Sequence, residues 1–95
     1  MVREVSWAIA DQIVATELGD GLALLNLRTN EYFSLNDVGA FVWGELQSPQ
    51  SRDALIRAMT ERYDVSADIC ANDLDLLLED LRNASLAEPR QGATR

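Results

Sequence analysis

The side chains that could do chemistry are crowded into one stretch. Asp68, Asp73, Asp75, Glu79 and Asp80 put five carboxylates between residues 68 and 80. Asp73 and Asp80 are seven residues apart, nearly two helical turns, so a helix would carry both on one face. Paired carboxylates can hold a divalent cation or share acid and base roles. A calcium loop, however, needs ligands at alternating loop positions around a glycine turn, and this stretch has no glycine. Its pattern fits a solvated or partner-facing acidic surface. The serines offer no nucleophile. Ser34, Ser48, Ser51, Ser66 and Ser85 have no histidine anywhere in the chain to activate them, and most stand where caps and turns use a hydroxyl. Cys70, the single cysteine, falls on an apolar stripe and reads as a small buried hydrophobe. Gly19-Asp20-Gly21 has the spacing of a turn and no helix behind it, so it is no phosphate loop.

The absences narrow the function further. With no histidine and one cysteine, the usual general base and the zinc and iron–sulfur ligand sets are missing. All eight basic residues are arginine, so no Schiff-base lysine exists. The net charge of −8 repels nucleic-acid backbones and anionic lipid. No catalytic residue, cofactor or metal is expected. No apolar run is long enough for a membrane span, and the first residues do not read as a signal peptide. The default is a cytoplasmic domain. A chain of 95 residues holds one modest core, two layers thick.

Three short runs read as strands: Ile13–Leu18, Leu22–Leu27 and Glu31–Leu35. Gly19-Asp20-Gly21 and Arg28-Thr29-Asn30 separate them, and Asn30 takes a left-handed turn conformation cheaply. Together they form an antiparallel meander. The earlier stretch Val5–Ala10 alternates and is either a leading strand or an arm, within a segment 1–12. After Leu35 the period changes. Asn36, Ser51 and Ser66 are N-caps for three helices. The first carries Val38, Phe41, Val42 and Leu46 on one face and ends near Gln47. The second has Leu55, Ile56 and Met59 as its stripe and breaks at Tyr63-Asp64-Val65. The third runs to about Asn83, with Cys70, Leu74, Leu77, Leu78 and Leu81 turned inward and Leu86 packing back. From Glu88 the composition reads as a flexible tail, 88–95. The fold class is therefore α+β: a three-stranded antiparallel meander followed by a three-helix, winged-helix-like array.

The segment A-L-L-N-L-R-T-N-E-Y-F-S-L-N-D-V-G-A-F-V-W-G-E-L, residues 23–46, resembles the pyrroloquinoline-quinone synthesis protein D family. That family is also known as the recognition element for ribosomally made, post-translationally modified peptides. The shared features are an apolar strand with an L-N pair, a polar turn, a strand ending aromatic-x-L-N, and a helix opening x-x-G-A-x-x-W. Arg62-Tyr63-Asp64-Val65, then Asp73-Leu74 and Leu77-Leu78-x-x-Leu81, are similar to the family's later R-Y-x-V and D-v-x-x-F/L-L-x-x-L pattern. The resemblance covers Ile13 to Leu86, giving a recognition domain at 13–87. The Y-F-S-L-N-D-V-G-A spelling is most similar to free-standing members of lasso-peptide pathways. The resemblance implies a non-catalytic role. Such a domain binds the leader segment of a precursor peptide and presents it to a separate leader peptidase, with a cyclase acting afterwards. The resemblance also implies where the leader goes, as a further strand on the third strand, here Thr29–Leu35, beside the third helix, here Ser66–Asn83.

Periodicity suggests which side chains would meet such a peptide. An edge strand offers unpaired backbone groups, and pockets for alternate side chains supply selectivity. The strand residues are Asn30, Glu31, Tyr32, Phe33 and Ser34, with Phe33 and Leu35 facing the helices. On the third helix Ile69, Asp73, Leu76 and Asp80 form a stripe beside the buried one. Ile69 and Leu76 either wall a groove or widen the core face. Two other functions share this outline: a winged-helix DNA-binding domain, which the acidic third helix disfavours, and an adaptor that binds only a folded enzyme.

Overall fold

The computed structural model describes residues 5–91. Its elements are β1 (Val5–Ile9), β2 (Ile13–Leu18), β3 (Gly21–Asn26), β4 (Glu31–Leu35), α1 (Asp37–Glu45), β5 (Gln50–Ser51), α2 (Arg52–Arg62), α3 (Ala67–Asn83) and β6 (Ala87–Gln91). The meander is present as a sheet in the order β2-β3-β4. Its registers set Leu24 opposite both Ala15 and Phe33, so the residues facing the helices are Leu22, Leu24 and Asn26 of β3 with Phe33 and Leu35 of β4.

A second sheet, in the order β5-β1-β6, decides between the alternatives at the start of the chain and corrects the reading of its end. Val5–Ile9 is a strand, the leading-strand alternative. The segment from Glu88, read as a tail, continues this sheet: Trp7 lies opposite Pro89 and Ile9 opposite Ala87. Pro89 makes the segment look like a breaker, yet β6 is an edge strand with one unpaired side, the place in a sheet where proline is tolerated. The tail residues 92–95 and the first four of the arm lie outside the described residues.

Each helix begins at its anticipated cap. Asn36 Oδ1 accepts from the Gly39 N–H at 2.8 Å, Ser51 Oγ from Ala54 at 3.1 Å and Ser66 Oγ from Ile69 at 3.3 Å. The α3 C-terminus closes with Ser85 left-handed, its N–H donating to the Arg82 carbonyl and the Leu86 N–H to that of Leu81. That turn sends the chain back along β1 and buries Leu86. The core joins Leu24 and Leu35 of the meander to Val42, Trp43, Leu55, Met59, Leu74, Leu78 and Leu81 of the helices. Cys70 lies in it, 2 % exposed.

One polar side chain is buried among the described residues, Asn26 at 1 % exposure, and it is fully used. Its Nδ2 donates to the carbonyls of Ser85 (3.0 Å) and Ala84 (3.4 Å). Its Oδ1 accepts from the N–H groups of Arg28 (2.9 Å) and Thr29 (3.3 Å). Asn26 thus ties the β3–β4 turn to the end of α3, across nearly sixty residues of sequence.

Candidate peptide-binding groove

The meander has two open edges, β2 and β4. Along β4, Glu31, Tyr32 and Ser34 are exposed, Phe33 is half-buried and Leu35 is buried. Tyr32, 76 % exposed, stands on the outer face. Asn30 precedes the strand in the left-handed conformation its turn requires, its N–H donating to the Asn26 carbonyl at 2.7 Å. Beyond Leu35 the strand runs directly into a groove of about 280 Å³. Asn36, Val38 and Gly39 line one side of it, and Asp73, Leu77 and Asp80 line the other. Leu74 and Met59 complete its apolar floor. The β2 edge lies on the far side of β3, away from this groove.

Close packing at Gly39 sets the shape of the groove mouth. A Cβ there would stand 3.1–3.2 Å from the Leu35 side chain, tighter than ordinary contact. The N-D-V-G-A motif therefore lets the first turn of α1 sit directly on the end of β4. A Cβ at this position would require the Leu35 side chain to give by a few tenths of an ångström.

The structure separates the stripe that the sequence assigns to the groove. Asp73 and Asp80 line it, but Ile69 and Leu76 do not, and these are 56 % and 64 % exposed. They do not widen the core face either. The apolar wall is built instead by Leu74 and Leu77, which periodicity assigns to the core. The reason is rotation about the helix axis. At about 100° per residue, Leu77 lies roughly 40° from Asp73 toward the core, and Leu76 about 60° from it the other way. Asp73 and Asp80 therefore form a rim between the groove floor and an outer apolar strip. Of the side chains missed, Val38 and Asn36 do carry a signal, since both belong to the quoted motif.

The electrostatics are one-sided. Among the described residues the ion pairs are Arg52–Asp75 and Arg90–Glu88, so the rim acids face no basic partner. Asp75 points away from the groove, where Arg52 Nε and Nη2 hydrogen-bond its two oxygens at 2.7 and 2.9 Å. Those hydrogen bonds hold its carboxyl below the usual range. The contribution of this exposed pair is small. It is present above the ordinary carboxylate pKa and lost only as pH falls below it. No three His, Cys, Asp or Glu side chains gather as a metal site among the described residues. No helix there is long and apolar enough to cross a membrane. An apolar floor, an acidic rim and an open strand edge can bind an extended chain with apolar anchors and a basic residue beside them.

Comparison with known proteins bears on this geometry. No curated protein matches the chain. The solved structure of "TbiB1 in Complex with the TbiA(beta) Leader Peptide" is similar, with 30 % identity and a TM-score of 0.78 over 93 % of this chain and 99 % of that one. "Lasso peptide synthetase B1 complexed with the leader peptide" is similar at 25 % identity and a TM-score of 0.75, over 87 % and 98 % of the two chains. The family model for coenzyme PQQ synthesis protein D matches residues 21–87, from the start of β3 through α3 to the first residue of β6. With most of its length matched, this chain belongs to the coenzyme PQQ synthesis protein D (PqqD) family.

Proposed function

We infer that this protein binds the leader segment of a ribosomally synthesised precursor peptide and has no turnover of its own. The leader adds as a strand to β4 and sets alternate side chains into the groove between the start of α1 and α3. The bound precursor is thereby delivered to a separate leader peptidase, and then a cyclase, in lasso-peptide-type maturation. The observation that carries this reading is the β4 edge running into an apolar groove. It is supported by likeness to two proteins whose structures hold leader peptides.

Backbone pairing over a five-residue strand plus two or three buried anchors corresponds to a Kd of roughly 10 nM to 10 μM. Fluorescence anisotropy with a labelled leader measures it. No binding at about 100 μM leader to the folded domain refutes the reading. Variants then locate the site. Leu77→Ala, which shortens the groove wall, should weaken binding by at least tenfold, because one buried anchor is worth about 1.5–3 kcal/mol. Leu76→Ala, outside the rim, should cost less. Ile69 and Leu76 offer apolar surface only to a leader that extends past Asp73 and Asp80. Asp73→Asn and Asp80→Asn should mainly slow association and flatten its salt dependence. Circular dichroism confirms folding of each variant. If Leu77→Ala binds like wild type while the Asn variants lose a hundredfold, the groove is read by charge and not by apolar anchors.

A further inference from the structure

The side of α3 turned away from the groove carries Arg82 as well as Asp75 and Glu79. Arg28, in the β3–β4 turn, and Arg82, in the last turn of α3, line one pocket of about 260 Å³ with Ala10, Ser85, Glu88 and Pro89. Neither arginine has a carboxylate within ion-pair distance among the described residues. Glu88, the only acid lining this pocket, is already held by Nε and Nη2 of Arg90 at 3.1 and 2.9 Å. Acids outnumber bases sixteen to eight in this chain. Two arginines converging without an acid of their own are therefore contrary to what composition alone would place there.

The backbone segments beneath the pair are tied together. Buried Asn26 accepts from the N–H of Arg28 and donates to the carbonyl of Ser85, so the turn bearing one arginine is fastened to the helix end bearing the other. Two arginines that line one pocket, on backbone segments tied together by a buried amide, can receive a carboxylate, which guanidinium groups bind with paired hydrogen bonds. Arg82 also lines a second pocket, about 230 Å³, with Trp7, Leu78 and the Arg52–Asp75 pair. Glu79 lies there as well. Arg82 thus joins the arginine pocket to a tryptophan-lined hollow, and Arg and Trp are residue types that anchor protein interfaces.

We propose that the Arg28–Arg82 pocket is a docking site for an acidic segment of a protein partner, with an Asp or Glu carboxylate seated between the two guanidinium groups. It lies on the far side of α3 from the leader groove, so both can be filled at once. The site stands on its own residues and does not depend on the leader reading.

The test is an amide-resolved NMR titration of the whole chain. The probes are the peptide acetyl-Glu-Asp-Glu-Asp-Glu-amide and, separately, inorganic phosphate. The peptide should shift the amides of Arg28, Thr29, Ser85 and Leu86 in a saturable way. Its affinity should fall at least fivefold in Arg28→Gln/Arg82→Gln and be unchanged in Asp73→Asn. Added leader peptide should not displace it. Equal shifts around Arg57 and Arg62, or an unchanged double variant, overturn the proposal. Phosphate binding as tightly as the peptide overturns the protein occupant and leaves a free-anion site. Leader affinity measured on the same double variant should be unaltered, which separates failure here from failure of the groove.

Discussion

Of the substitutions Tyr32→Pro and Phe33→Pro, one should leave the domain folded and abolish leader binding, and the other should unfold or weaken it. β4 pairs with β3 on one side only. Successive N–H groups along a strand point alternately to the two sides, so neighbouring residues differ in which bond proline removes. Proline at the outward parity removes a donor that only the incoming strand uses. Proline at the inward parity removes a ladder bond to β3 and costs about 1–3 kcal/mol, with the half-buried Phe33 also losing its packing. Ser34→Pro shares the parity of Tyr32→Pro and should behave like it. The expected loss at the outward position is a hundredfold or more, read by anisotropy, with circular dichroism reporting the fold. If all three variants fold and bind like wild type, the leader does not pair with β4.

The second large effect is on stability. Asn26→Ala removes four hydrogen bonds around a side chain that is 1 % exposed and leaves the Ser85 and Ala84 carbonyls short of a donor. The expected loss is about 2–3 kcal/mol, a fall in Tm of roughly 10–20 °C for a domain of this size. Asn26→Asp keeps both acceptor contacts but loses the amide donor and buries a charge. Burial raises a carboxyl's pKa, so this variant should be least stable near neutral pH and regain part of the loss as pH falls and the acid protonates. Urea melts at neutral and mildly acidic pH measure both variants. An Asn26→Ala protein within about 0.5 kcal/mol of wild type would show that the tie between the turn and α3 is incidental.

That asparagine also shows where the sequence stops being legible. Local signals carry far. The caps Asn36, Ser51 and Ser66, the glycine turn between β2 and β3, the period-two meander and the inward stripe of α3 each depend on residues within a turn or two of one another. All appear where expected except Leu77, which is only partly buried against the core and lines the groove. Asn26 sits in the apolar run Leu24-Leu25-Asn26-Leu27, in step with Leu22 and Leu24. A polar residue at a core position is its only sign, because its partners lie at the far end of α3. Strand β6 is hidden for the same reason. Glu-Pro-Arg-Gln has no apolar alternation, and its place in a sheet comes from pairing with β1 at the opposite end of the chain. The groove is half legible. Helical spacing puts Asp73 and Asp80 on one face, and they line it. The exchange of Leu76 for Leu77 is a rotation of about 100° around α3. Which of the two lines the groove is set by how α3 is rotated against the core, where Leu77 packs and Leu76 does not.

Amide hydrogen exchange, resolved by residue with and without saturating leader, reads strand addition in the unmodified protein. A leader paired with β4 as the fourth strand of the meander gives new protection at alternate amides among Tyr32, Phe33 and Ser34. The β2 amides from Ile13 to Leu18 then exchange as they do in the free protein. Protection appearing along β2 instead, or binding that leaves every β4 amide exchanging as before, rules out that pairing.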